Sequence, residues 1–467
     1  MSMAQQGKMD GGYVDSSGAD VVEIGCDAEF WESLPFLAHT RDYAWSCGVS
    51  PWSVYGVELV RAACAIPPEY VLPREGFGSY GSLNMFLALT GFSGDGKGNS
   101  TSAGSDLVPF VGDYATIAIP PSGEGIGSVF SHMERETGEN GRPTGPAFNH
   151  LDHIRALLDY DEISTLTGAA SRQGSTLNAT LCSTWSGKKF GGWNKSPDKR
   201  VDVPAHAYRL CLIAGAQPST AGYFLDSKNM GVVQRFLTYP VTDPELPEQR
   251  RPVTAKPIPK NRFPQGYTWD EYSMCYRDNT ASYECKPLAL PEEASREMWA
   301  QRVAVNHHKR GDPMDSHRLM LTARVAAVMQ IMHDGALTVT PNMWRIASYA
   351  VKRSCDFRNE YIAEYRSLKS RDYAERQEDY DRAADMMEPR HVKEAETDIL
   401  EKLRDWGDGK GRYRRDMQQC VKKRLRDVFG TAWENLIRDG RIIEIKAANA
   451  EGEEQPTGRY CITPDTH

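Results

Sequence analysis

No C-x-x-C pair occurs in the 467 residues. The ten cysteines (Cys26, Cys47, Cys64, Cys182, Cys211, Cys275, Cys285, Cys355, Cys420 and Cys461) stand singly along the chain. That scatter excludes a clustered disulfide framework and a zinc ribbon, and reads as reduced thiols. No apolar run approaches the ~20 residues that cross a bilayer. The opening stretch MSMAQQGKMDGGYVDSSGAD has no apolar core, so no secretory leader is read there and the expected location is cytoplasmic. G-x-S-x-G and H-E-x-x-H are missing, which leaves the hydrolase elbow and the zinc-protease helix without support. Positive charge is not in excess either. Lys and Arg total 55 against 63 Asp and Glu, a net charge of -8. A chain that coats nucleic acid over its whole surface is excluded; a local basic patch is not.

What is present suffices for a packed core: 40% of residues are hydrophobic, and the length suits two to four domains. Residues 1–26 are rich in Gly, Ser and Asp and read as a mobile tail. Residues 27–78 read as a helical region. Within it Ser50-Pro51 starts a helix whose apolar positions Trp52, Tyr55, Leu59, Ala62 and Ile66 recur at helical spacing until Pro67-Pro68. From residue 79 the period changes. Apolar runs at 82–90, 114–119, 155–160 and 208–214 alternate with helix-compatible segments, which predicts an α/β domain over 79–262 built on a mostly parallel sheet. The proline-dense 240–264 reads as an extended connection leaving that sheet. Residues 263–390 read as helical, with a charged stretch near 370–387 as a solvated helix or linker.

The sharpest local signal is Gly91-Phe-Ser-Gly-Asp-Gly-Lys97, a G-x-x-x-x-G-K string directly after a predicted buried strand. In such a loop the glycines let backbone N–H groups converge on phosphate oxygens, and the following helix adds its positive end. Gly91, Ser93, Gly94, Asp95, Gly96, Lys97, Gly98, Asn99 and Ser100 are therefore the expected nucleotide-binding residues. Gly98 stands where the motif carries a magnesium-ligating Ser or Thr, so Ser100 or Thr101 is the expected substitute. About sixty residues on, Asp161-Glu162 ends another apolar run. Asp161 is the expected Mg²⁺ ligand and Glu162 a candidate for polarising the attacking water. The alternatives are a Gly-rich surface loop and an ordinary acidic strand end. His150 and His153 have metal-compatible spacing without a third ligand and read as solvent-facing. His307-His308-Lys309-Arg310 reads as a polar loop.

These stretches, with Phe30-Trp31-Glu32, Ser50-Pro51-Trp52, Gly81 to Phe86, Ser122-Gly-Glu124-Gly, Ser171 to Leu177, Trp185-Ser-Gly187, Gln217-Pro218, Gly231 to Phe236 and Asp315-Ser-His317, resemble the RecA-like ATPases of actinobacterial plasmids, phages and integrative elements. Relatives in that family are often fused to primase-polymerase domains. The resemblance covers roughly 27–360. It implies a RecA-like P-loop NTPase core and ATP with Mg²⁺ as cofactors. It makes Glu124 a rival to Glu162 as catalytic base and Gln217 a γ-phosphate sensor. It makes Arg235 an arginine offered to that phosphate by a neighbouring subunit. Lys188, Lys189 and Arg200 would lie in a DNA-contacting loop. It further implies a homo-oligomer, a hexameric ring among the options, with any priming supplied by a separate protein.

The tail, 391–467, reads as three helices followed by two strands, the order of a winged helix. A segment spanning its central basic helix (414–428) holds Lys410, Arg412, Arg414, Arg415, Lys422, Lys423, Arg424 and Arg426, a local excess that suggests phosphate contacts. The expected function is an ATP-dependent, helicase-like or translocase-like motor on single-stranded or forked DNA in mobile-element or phage replication. An ATP-gated DNA-binding switch in defence or element maintenance, and a non-hydrolysing replication initiator, are the alternatives.

Overall fold

A computed structural model describes residues 23–464 except 121, 171–172, 174, 192–200, 221, 223–229, 279–283, 310, 407–409 and 451. Most of the expected N-terminal tail, Arg200, and parts of the 171–177 stretch therefore lie outside the described residues. The chain forms two compact units, 1–368 and 369–467. Residues 263–368, expected as a separate helical region, belong to the first unit.

The first unit is built on five parallel strands: β1 (Phe86–Thr90), β2 (Thr116–Ala118), β3 (Arg155–Tyr160), β4 (Arg209–Ala216) and β5 (Phe236–Pro240). Their order across the sheet is β5-β1-β4-β3-β2. β4 pairs in parallel with β1 on one side (Leu212 opposite Phe86) and with β3 on the other (Leu212 opposite Leu158). Every residue of β1 and β4 is buried, because both faces of the sheet are covered. Helix α1 (Pro51–Ala65) is buried along its whole length, with Pro51 at its first turn. Its charged residues are buried with it: Glu58 accepts from the Thr40 hydroxyl (2.7 Å) and Arg61 donates to the Val108 carbonyl (3.0 Å). Alongside it runs α2 (Lys97–Leu107). The Phe30, Trp31, Trp52 and Tyr55 rings form one aromatic cluster, and Asp27 ties it down by accepting from Tyr349 (2.6 Å), Arg353 (2.9 Å) and Trp52 (3.1 Å). Those motif residues are framework.

Further helices of this unit are α3 (Gly123–Phe130), α4 (Leu177–Trp185), α5 (Glu292–Asn306) and α6 (Arg318–Asp334). Pro341–Asp405 (α7) is one 65-residue helix, of which 341–368 lies in the first unit and the rest in the second. Among the described residues, no helix is long and apolar enough to cross a membrane.

Several expectations are corrected. The apolar run 82–90 is not one strand: Asn84 is buried, donates to the Thr184 carbonyl (2.6 Å) and accepts from the Leu210 N–H (3.0 Å). Those bonds take the backbone out of the sheet until Phe86. The proline-dense segment does not leave the domain. Val253 and Ala255 pack on the cluster of Val49 and Val54, and the Ile258 N–H bonds the Leu107 carbonyl at 2.9 Å. A hairpin of Ser131–Thr137 and Pro143–Leu151 was not expected.

The second unit packs Ile399 and Leu400 of α7 against Met417, Phe429, Trp433 and Leu436. Strand β6 (Arg412–Tyr413), helix α8 (Arg414–Cys420), helix α9 (Phe429–Arg438), and strands β7 (Ile442–Ala448) and β8 (Glu454–Ile462) follow. The antiparallel sheet has the order β6-β8-β7. The basic stretch is not one helix. It breaks at Val421, which is extended, and the Asp398 carboxylate accepts from the Lys422 N–H at 3.1 Å. Its charge is also partly neutralised: Arg424 pairs with Glu394, Arg414 with Glu434 (3.7 Å) and Lys422 with Asp398 (3.8 Å). Arg426 donates to the Gln419 carbonyl (2.6 Å), and Arg412 lies over the Trp406 ring. Arg415 and Lys423 are exposed.

Candidate functional site

A cleft of about 520 Å³ opens at the carboxyl ends of β1, β3 and β4. In an open parallel sheet this edge, where loops leave toward helices, is where ligands bind. The loop that closes β1 is shaped by its own residues. The Asp95 carboxylate accepts from the Phe92 N–H at 2.7 Å, and the Gly91 N–H bonds the Ala216 carbonyl at 3.1 Å. Gly94 and Gly96 have φ of 92° and 102°, a region other side chains enter only with strain. Helix α2 then starts at Lys97 with its N-terminus at the cleft, where the helix dipole favours an anion.

Lys97 folds back over this loop. Its Nζ donates to the carbonyls of Phe92 (3.0 Å) and Gly91 (3.2 Å) and lies 3.5 Å from Glu162 Oε1. The same Glu162 oxygen accepts from Gln217 Nε2 at 2.6 Å. Gln217 is itself held, its carbonyl accepting from the Tyr361 hydroxyl at 2.6 Å. Glu162 Oε2 is buried with no hydrogen-bond partner. Lys97, Glu162 and Gln217 thus meet although they come from three separate stretches of sequence, and Asp161 lines the same cleft.

Two residues that the motifs did not single out belong here. Asp159, on β3, and Asp161, just past its end, both line the cleft. Burial, then the Asp161 charge, pushes the Asp159 carboxyl up, with Arg61 opposing. Gly215, near the end of β4, is the other. A Cβ there would stand 2.2 Å from the Asp161 carbonyl oxygen and 3.0 Å from Lys97 Cδ, so only glycine lets the lysine pass. The D-x-D spacing was readable in the sequence; Gly215 was visible only as a glycine within an apolar run.

Other expected residues lie elsewhere. Ser100 is fully buried, 2.8 Å from Ser53 Oγ on α1 and donating to the Gly96 carbonyl at 3.2 Å. Its hydroxyl faces α1 and not the cleft. Thr101 does line the cleft, its hydroxyl donating to the Lys97 carbonyl at 3.2 Å. Ser93, Gly98 and Asn99 line it too. Glu124 is exposed on the first turn of α3, past the edge strand β2, and is not among the cleft-lining residues. Lys188 and Lys189 are exposed after α4, near the start of β4: Tyr208 donates to the Lys188 carbonyl (2.8 Å), and Lys189 pairs with Asp202 (2.8 Å).

Arg235 immediately precedes β5 and so stands at the amino edge, a strand's length of roughly 17 Å from the cleft edge. It is half-buried, bonded to the Gly231 carbonyl, with its guanidinium 5.1 Å from the Trp185 ring centroid. The fully buried Arg324 lies 3.3 Å from the same centroid. His317 packs on that ring as well, at 5.2 Å. Burial and the two arginines lower its pKa to about 4 and keep it neutral. Ser316 donates to Gln234 at 2.7 Å. The Trp185, Gln234-Arg235 and Asp315–His317 stretches therefore form one cluster at the sheet edge opposite the cleft.

No protein-family model matches this chain, and no match was found among curated proteins.

Proposed function

We propose that the protein is an ATP-hydrolysing, RecA-like motor that acts on DNA, of helicase or translocase type, in replication of a mobile element. The observation that carries the reading is the meeting of Lys97, at the end of a glycine loop and the start of a helix, with a Glu162 carboxylate held by Gln217. The strand order supports it: β4 is interposed between the loop-bearing β1 and the acidic β3, so the Gln217 side chain reaches the carboxylate from between them. A polyphosphate entering the cleft meets the helix N-terminus and draws Lys97 off the loop carbonyls. That movement frees Glu162 to accept a proton from water, with Gln217 fixing the carboxylate. The hard oxygen donors Asp161 and Asp159 suit Mg²⁺, which when bound neutralises phosphate charge.

Arg235 is too far from its own cleft to act there, so a role at phosphate requires the cleft of another copy, stacked head to tail. The DNA-binding half of the reading draws on the second unit. A helix, a strand, two helices and two strands, with the first strand pairing the last, is a winged-helix order. Arg415 and Lys423 are its exposed candidates for phosphate contact.

A nucleotide-gated DNA-binding switch is the second reading, favoured by one observation: Gly98 offers no hydroxyl, and Ser100 is turned away from the cleft. ATP turnover measured with and without single-stranded DNA, beside a fluorescent fork substrate, tests both. DNA-stimulated turnover with fork opening fits the motor. Nucleotide binding that changes DNA affinity without turnover fits the switch. No nucleotide binding at all refutes both.

A further inference from the structure

Helix α5 carries a second kind of surface. Trp299 is 68% exposed, the most exposed tryptophan among the described residues. Arg296 and Arg302 are exposed three residues before and after it, so each stands about 4.5 Å along the axis on the same side of the helix. Val303 adds a small apolar shoulder to this stripe, and His307, His308 and Lys309 continue the exposed surface past the helix end. The acids of α5 are mostly spent elsewhere. Glu293 pairs with Arg345 at 2.8 Å, and Glu297 accepts from the Trp344 indole at 3.1 Å. Glu292 alone shares the stripe, two turns from Trp299 at its N-terminal end.

An exposed indole costs solvation and is not explained by the core, since α5 buries Ala294 and Met298 on its other side. We propose that this face of α5 binds single-stranded nucleic acid, with a base stacked on Trp299 and the flanking phosphates held by Arg296, Arg302 and Lys309. An aromatic plane between cations is the arrangement that holds an unpaired strand without reading its sequence. A duplex hides its base faces, so the indole gives it nothing. A protein partner is a poorer fit, because charges are depleted from the core of such interfaces and here they flank the exposed indole. The inference rests on the DNA-acting reading for its partner class. Its experiment is run without nucleotide, so an inactive cleft does not spoil it, and failure at Trp299 leaves the cleft untouched.

The test is fluorescence anisotropy of a labelled oligo-dT with the full chain over a salt series. Trp299→Ala should weaken binding about 5- to 150-fold, the loss of one base stack, with an unchanged melting temperature. Trp299→Phe should restore most of the affinity. Arg296→Gln with Arg302→Gln should lower the salt slope by about 1.4, two single-strand phosphate contacts. A hairpin duplex should bind Trp299→Ala as it binds the wild type. Wild-type oligo-dT affinity in Trp299→Ala overturns the proposal, as does an equal loss for duplex and single strand. A surface that instead docks a protein would show neither the Phe rescue nor the salt change.

Discussion

Gly215→Ala tests the cleft at the point where its geometry is tightest. One methyl group is added, and it would sit 2.2 Å from the Asp161 carbonyl oxygen and 3.0 Å from Lys97 Cδ. A carbon and a carbonyl oxygen in contact need more than 3 Å, so about 1 Å of movement must come from somewhere. β4 is held by β1 and β3 through parallel pairing on both sides, so the end of β3 or the Lys97 side chain has to yield. Overpacking of this kind costs about 1–3 kcal/mol of stability. A displacement of ~1 Å at a catalytic group costs about 10²-fold in rate. The assay is thermal unfolding with and without a non-hydrolysable ATP analogue. At a hundred times its Kd the ligand should stabilise the wild type by ~2.7 kcal/mol. With about 2 cal/mol/K of unfolding entropy per residue, that is a shift of about 3–4 °C for the 368-residue unit. Gly215→Ala should melt a few degrees lower and show little further shift with nucleotide. Gly98→Ala is the control, since a Cβ there meets nothing within 4 Å; it should keep the full shift. A folded Gly215→Ala protein with the wild-type nucleotide shift would refute the placement of phosphate beside Lys97 and β4.

Three further outcomes are expected. Glu162→Gln should bind ATP yet lose roughly 10²-fold or more in phosphate release, whereas Glu124→Gln should turn over near the wild-type rate; the reverse result would move the base to α3. Gly98→Ser places a hydroxyl in open space on the cleft wall and should lower the Mg²⁺ concentration for half-maximal turnover, and an unchanged Mg²⁺ dependence would show that the position does not face the metal. Burial pushes the Glu58 carboxyl up from 4.5 to about 8, against a hydrogen bond from Thr40 (2.7 Å). The native state therefore keeps a proton that the unfolded chain gives up. This contribution is complete below about pH 4.5 and is lost as pH rises toward 8, at ~1.4 kcal/mol per unit. Glu58→Gln should remove that slope, so urea unfolding of variant and wild type should diverge by about 2–3 kcal/mol between pH 5.5 and 7.5, and parallel pH profiles would contradict a protonated Glu58.

The sheet was legible because its central strands are buried on both faces, and such strands read as unbroken apolar runs. Arg155–Tyr160 fell on its predicted bounds for that reason. The 131–151 hairpin had no such signal. Its strands are largely polar and exposed, and its second strand carries Pro143, Gly145 and Pro146. Helix α7 could not be read as one element, since the side chains of 370–382 are all exposed and give no apolar face to follow. The break at Val421 is fixed by Asp398, whose carboxylate accepts from the Lys422 N–H twenty-four residues on, and no local rule predicts a cap supplied from another helix.

The cleft divides along the same line. A glycine loop and an acidic strand end are local patterns, and the sequence displayed both in order. What turns them into one site is long-range. Glu162 meets Gln217 only because β4 lies between β1 and β3, and Ser100 is lost to the cleft only because α1 covers that side of α2. Long-range placement also makes the cleft's charge balance visible. Lys97 and the helix end face three carboxylates, those of Asp159, Asp161 and Glu162. Burial raises the proton affinity of Asp159, and the neighbouring Asp161 charge adds to it. A nucleotide's polyphosphate would add several negative charges to a cleft that is already acidic, and like charges at such range repel strongly in a half-buried site. On the proposed reading, then, nucleotide and divalent cation must enter together. Nucleotide alone should bind far more weakly than its magnesium complex.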